Sequence, residues 1–233
     1  MTSVQNHLQQ SSGSKRKLIL MKKLYLFSTT SHPDTISINS LDFTFFKPDI
    51  DFAFYDYLII TSKQTINALE QYDREQYICK KALCVSDSTA EYFESLGGSI
   101  LDLGSGYGDD LGSIIKTYPK DVKWLYIHGK VTASDFSKVM LDKGFTIDEH
   151  VLYESRCSNE ILDVEVEKDA VLIFTSPSSV KCYLKNNQIK QSNKVVVIGK
   201  TTAKALPQNV KYEFSEQRSI ASCIEKAKTI TKI

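Results

Sequence analysis

The residues best suited to chemistry sit in four short hydroxyl-rich stretches, each at the end of an apolar run. Thr61 and Ser62 follow YLII at 57–60, and Ser86, Ser88 and Thr89 follow ALCV at 82–85. Thr175 and Ser176, with Ser178 and Ser179 just beyond, follow VLIF at 171–174, and Thr201 and Thr202 follow VVVIG at 195–199. Hydroxyls beside the free amides of a helix start can hold anionic groups without a metal. Each such turn is also an N-cap, since a Ser or Thr before a helix satisfies amides that lack intrahelical partners. No single turn therefore decides between binding and capping.

The arrangement of the four is more informative than any one of them. Thr61 and Thr175 are 114 residues apart, Thr89 and Thr202 are 113 apart, and the two turns within each half are 28 and 27 apart. Two motifs recurring in one order at one offset read as two similar domains. The runs YLIIT, ALCVS, WLYIHG, VLIFTS and VVVIG are continuous and apolar, as strands buried on both faces of a parallel sheet are. Helices are expected over 88–96, 110–117, 133–143, 179–184, 202–206 and 219–229. In open parallel sheets ligands bind beyond the carboxyl ends of the strands, so four helix starts in two facing domains would form a cleft for a multiply anionic ligand.

Composition fits this reading. The chain has 233 residues, 42% of them hydrophobic, with 29 Lys and Arg against 28 Asp and Glu for a net charge of +1. That balance excludes bulk electrostatic binding of nucleic acid or a membrane surface, and no apolar run is long enough to span a bilayer. Cys79, Cys84, Cys157, Cys182 and Cys223 are scattered without a C-x-x-C pair, which reads as buried thiols of a reduced, cytoplasmic protein. His7, His32, His128 and His150 are equally dispersed, so no metal site is expected. Residues 1–20, polar and rich in Ser and Gln at the start, are read as a disordered leader outside the fold. No oligomerisation signature appears, and a monomer is expected.

A competing motif lies at 100–108, where ILDLGSGYG matches the glycine-rich first motif of S-adenosylmethionine methyltransferases. There the glycines let the backbone approach the cofactor. The following strand, KWLYIHGK at 123–130, has no acid at its carboxyl end to meet a ribose, and the second copy of the repeat occupies the rest of the chain. A methyltransferase therefore stands as an alternative, as does a non-enzymatic two-domain sensor of a small anion.

The paired motifs resemble the uroporphyrinogen-III synthase family. The resemblance rests on FTSPSSV at 174–180 and IGKTTA at 198–203, with YLIITS at 57–62, VSDSTA at 85–90, LYIHG at 125–129, KGF at 143–145 and VLY at 151–153. It spans about residues 22–230. It implies two flavodoxin-like parallel-sheet domains joined by a two-stranded β linker. The first is discontinuous, 21–45 plus 156–233 with an opening strand at 22–28; the second covers 47–151. The linker strands would be near 43–46 and 151–153.

The implied reaction cyclises hydroxymethylbilane, an octacarboxylate, to uroporphyrinogen III with loss of water and inversion of ring D through a spiro-pyrrolenine, without a cofactor. By position Tyr153 matches the family's tyrosine, the implied proton donor to the departing hydroxyl. Carried over as substrate-binding are Thr61, Ser62, Ser86, Ser88 and Thr89, then Ser176, Ser178, Ser179, Thr201 and Thr202, with Gly129 and Lys130 as weaker candidates. The sequence departs from the family pattern after its first strand, where the usual arginine is missing, and in the short segment 29–41, where the first helix is shrunken or missing.

Overall fold

The computed structural model describes residues 22–231, and the expected leader at 1–20 lies outside the described residues. By its internal contacts the chain divides into two units. One takes the residues up to Ile38 together with those from Asp163 onward; the other is Asn39–Leu162. The first unit opens with β1 (Leu24–Ser28) and β2 (Ile36–Asn39). The second unit follows with β3 (Leu41–Phe45), β4 (Tyr57–Ile60), α1 (Lys63–Leu69), α2 (Arg74–Tyr77), β5 (Lys81–Cys84) and α3 (Asp87–Ser95). It continues through β6 (Ser99–Leu103), α4 (Gly108–Ile115), β7 (Lys123–Gly129), α5 (Phe136–Asp142), β8 (Thr146–Cys157) and α6 (Asn159–Leu162). The first unit is then completed by β9 (Val171–Phe174), α7 (Pro177–Asn186), β10 (Lys194–Val197), α8 (Lys200–Ala203), β11 (Glu213–Phe214) and α9 (Ile220–Thr231).

Each unit is built on one sheet, ordered β11-β10-β9-β1-β2 in the first and β3-β8-β7-β4-β5-β6 in the second. The strands β1, β9, β10 and β11 pair in parallel, and so do β8, β7, β4, β5 and β6. The sequence repeat has a topological meaning here. The neighbours β6-β5-β4-β7-β8 match β11-β10-β9-β1-β2 position for position. Thus β1 and β2, which precede the second unit in the chain, fill the places that β7 and β8 fill after β4 to β6.

Two-residue alternation along the second sheet sends side chains to two cores. Leu58, Ile60, Ala82, Cys84, Leu125 and Ile127 pack with Ile66, Leu69 and Phe93 on one face. Ile59, Leu83, Trp124 and Tyr126 pack with Leu111, Ile115, Phe136 and Met140 on the other. In the first unit Leu26, Val171, Ile173 and Val196 bury against Cys223, Ile224 and Ala227 of α9. On the opposite face the Phe27 and Phe174 rings stack 4.9 Å apart beside the ring of Tyr183 on α7. Burial on both faces explains why these strands read as unbroken apolar runs.

Several expectations are sharpened. No helix forms between β1 and β2; the segment turns instead, with Thr35 N–H donating to His32 O at 3.2 Å, around Pro33, which has no N–H to give a helix. The antiparallel ladder runs from Phe45 opposite Tyr153 to Leu41 opposite Cys157. It is longer than expected because β8 is one 12-residue strand, parallel to β7 in its first half and antiparallel to β3 in its second. Cys84 and Cys223 are buried thiols as expected, but Cys79 is exposed, and Cys157 and Cys182 are disulfide-bonded, against the expectation of free thiols throughout. No helix among the described residues is long and apolar enough to cross a membrane.

Candidate functional site

In the second unit the strand order reverses at β4. The chain steps from β4 to β5 to β6 on one side, then places β7 on the other. Such a switch point leaves a crevice at the carboxyl ends of the strands, because the connections depart in opposite directions. A cavity of about 280 Å³ opens there. Its wall takes Thr61 and Ser62 from the end of β4, His128 and Gly129 from the end of β7, Tyr153 from β8 and Tyr126 from within β7. Val85, the loop carrying Gly106, Gly108 at the start of α4, and Val131 to Ser134 complete it with Phe136.

Local forces fix these groups. Ser62 caps α1, its hydroxyl accepting from Gln64 N–H at 3.1 Å. The hydroxyls of Thr61 and Tyr126 lie 3.4 Å apart. Burial pushes the Tyr126 phenol up from its ordinary value, the Thr61 contact opposing it. Tyr153 and Gly129 face one another across the β7–β8 pairing, at a register shift after His128, and Lys130 N–H donates to Tyr153 O at 2.8 Å. The half-buried Tyr153 ring lies across Gly129: a β-carbon at 129 would stand 2.6 Å from Cζ, well inside the ~3.5–4.0 Å at which carbons pack. Glycine is therefore needed for this close approach. The ring meets Phe43 of β3 edge-on at 6.0 Å.

The structure thus gathers Thr61, Ser62, Gly129 and Tyr153 on one cavity and leaves the other predicted residues elsewhere. Lys130 is exposed and ion-paired, Nζ 2.9 Å from Glu154 Oε1. Ser86, Ser88 and Thr89 start α3 and contact one another, Ser86 Oγ lying 3.4 Å from Ser88 Oγ and 3.2 Å from Thr89 Oγ1. In the first unit Ser176 and Ser179 form a reciprocal capping box at α7, with Pro177 in its first turn. Ser178 and Thr201 are exposed, whereas Thr202 is buried at the start of the four-residue α8. Thr175, which ends β9 as Thr61 ends β4, donates its hydroxyl to Phe27 O of β1 at 3.1 Å.

The glycine-rich stretch is not a cofactor cradle. Gly104 N–H donates to Cys84 O at 2.8 Å and Gly106 N–H donates to Val85 O at 2.7 Å. The amides that would meet a cofactor are thus used to continue the pairing with β5. Gly106, at φ +98°, makes the turn that this requires. The methyltransferase alternative loses its main support. Among the described residues no three His, Cys, Asp or Glu side chains gather as a metal site would need.

Sequence reasoning missed Tyr126 and His128 as parts of the wall. They lie two apart on a strand that runs to the carboxyl edge of the sheet, so they share one face and stack, ring centroids 4.4 Å apart. That spacing was the available signal.

Comparison with known proteins follows the same direction. A family model described as uroporphyrinogen-III synthase HemD matches residues 35–225. Among solved structures the chain is similar to the uroporphyrinogen-III synthetase from Helicobacter pylori 26695, with a TM-score of 0.74 and 19% identity over 90% of this chain and 100% of that one. It is also similar to a mutant uroporphyrinogen III synthase from the extremely thermophilic bacterium Thermus thermophilus, with a TM-score of 0.55 and 15% identity over 84% of this chain and 88% of that one. At these identities the structural likeness is one of fold. No curated protein matches the sequence.

Proposed function

The chain belongs to the uroporphyrinogen-III synthase family, and on that premise we propose that the cavity at the β4–β7 switch point is where its reaction is directed. The reaction is the cyclisation of hydroxymethylbilane to uroporphyrinogen III, with loss of water and inversion of ring D, in heme biosynthesis. The terminal hydroxyl takes up a proton and leaves as water. The azafulvene cation so formed is attacked by a ring carbon that already bears a side chain. The bond from that same ring carbon to its original bridging methylene then breaks, the freed methylene bonds instead to the other α-carbon of ring D, turning the ring over, and loss of the proton from that carbon restores the pyrrole. The bilane closes unaided to the uninverted isomer, so the protein's work is to hold one folded conformer by proximity and orientation.

Tyr153 is the proposed proton donor to the leaving hydroxyl, a role for a positioned phenol. The observation carrying this is its ring, held across Gly129 at the cavity rim. Thr61 and Ser62 would meet substrate carboxylates there, with Ser86, Ser88 and Thr89 at the α3 start and Gly129 and Lys130 beside the rim. In the first unit the turns with Ser176, Ser178, Ser179, Thr201 and Thr202 would do the same, largely through backbone N–H groups, because several of these hydroxyls are already engaged as caps. A net charge of +1 leaves recognition of eight carboxylates to such local donors. The proposal includes a monomeric, cytoplasmic enzyme that needs no cofactor. Tyr153→Phe should lower formation of isomer III by about 10–100-fold; native turnover in a folded variant removes Tyr153 from the mechanism.

A further inference from the structure

His128 carries a hydrogen-bonding atom that nothing among the described residues uses. Its Nδ1 lies 2.8 Å from Gly129 O. A carbonyl only accepts, so Nδ1 is the donor here, and a ring carrying its one proton there presents a lone pair at Nε2. That Nε2 is buried without a hydrogen-bond partner among the described residues, in a residue only 8% exposed. The ring is held in place by its stack on Tyr126. An unmet buried acceptor is unfavourable, and native proteins seldom keep one without a use for it.

The surroundings say what would meet it. His128 is part of the cavity wall, together with the rings of Tyr126, Phe136 and Tyr153. Among the described residues lining the cavity there is no Lys or Arg, and Lys130 just outside it is paired with Glu154. Asp109, at the start of α4 beside this wall, accepts from Ser134 Oγ. Aromatic walls, an orphan acceptor and no free cation suit a flat N–H heterocycle better than a carboxylate.

We propose that His128 Nε2 accepts a hydrogen bond from the N–H of one pyrrole ring of the substrate, seated in this cavity. The inference rests on the function proposed above. It makes His128 a specificity residue that fixes how one ring of the flexible bilane is oriented.

The test uses His128→Phe, which keeps the stack and removes the acceptor, and two soluble probes: a monopyrrole bearing acetate and propionate side chains, and its N-methyl analogue. The native protein should bind the N–H probe about tenfold more tightly than the N-methyl probe, and His128→Phe should bind both equally. The variant should raise KM for hydroxymethylbilane about tenfold while its Tm stays level or rises, since an unmet buried acceptor is gone. Equal binding of both probes by the native protein overturns the proposal, and loss of both probes in His128→Phe would instead assign Nε2 to a carboxylate. If native protein made isomer III but His128→Phe kept the native KM, the inference would fail and the family function would stand. If native protein made isomer I alone, the failure would lie with the proposed function.

Discussion

Replacing Gly129 with alanine puts a carbon 2.6 Å from Cζ and 2.7 Å from Cε2 of Tyr153. Carbon contacts settle at about 3.5–4.0 Å, so the ring must retreat by about 1 Å. The backbone is tied to the strand that carries the ring, since Gly129 pairs with Tyr153 of β8 and Lys130 N–H donates to Tyr153 O at 2.8 Å. The ring can move, since it is half-buried, borders the cavity and meets Phe43 edge-on. Displacing a reacting group by about 1 Å costs on the order of 10²-fold in rate. The overpacking itself should lower stability by no more than about 1–3 kcal/mol. Gly129→Ala should therefore cut formation of isomer III by up to about 10²-fold, and by no more than Tyr153→Phe does, in a protein that still melts cooperatively. The assay is initial-rate isomer analysis on native protein, Gly129→Ala, Tyr153→Phe and the double variant. If Gly129 acts by positioning the Tyr153 hydroxyl, alanine at 129 should matter at least ~10-fold less when that hydroxyl is already gone, because residues acting as one unit are strongly non-additive. Native turnover in Gly129→Ala, or an equal loss in both backgrounds, would refute the reasoning.

Two further outcomes follow from stability alone. Ser176→Ala should lower stability by about 1 kcal/mol, read as a shift in the urea midpoint, because it opens the capping box of α7. Ser179→Ala added to it should cost little more, since both hydroxyls belong to that one box. Burial, aided for Tyr55 by its hydrogen bond to Asp148, pushes the phenols of Tyr55 and Tyr183 from 10.0 up to about 12. The folded protein then keeps protons that the unfolded chain has released, so stability is intact below pH 10 and declines as pH rises toward 12. Tyr55→Phe and Tyr183→Phe should each make that alkaline decline in urea-denaturation stability shallower; an unchanged slope contradicts the burial argument.

The strands β4, β5, β7, β9 and β10 were legible because each is buried on two faces and so spells an apolar run, and the hydroxyl turns were legible because each begins a helix. The repeat offset from Thr61 to Thr175 exposed the pair of sheets. Its reason lay beyond periodicity: β1 and β2 stand where β7 and β8 stand in the other sheet, a correspondence that reverses chain order. The glycine stretch at 104–108 misled because glycines serve equally to approach a cofactor and to let a loop continue a sheet edge; only the bonds from Gly104 and Gly106 to β5 decide. In the sequence His128 reads as one of four scattered histidines. Its place in the cavity wall depends on the strand ending at the switch point, and its idle Nε2 depends on the Gly129 carbonyl taking the other nitrogen.

The most direct measurement of the whole account is the isomer composition of product formed by the native chain from hydroxymethylbilane, oxidised and separated after a reaction short enough to limit spontaneous closure. The account predicts isomer III well in excess of the uninverted isomer I, at a rate proportional to protein concentration. Isomer I alone, at the rate seen without protein, would contradict it.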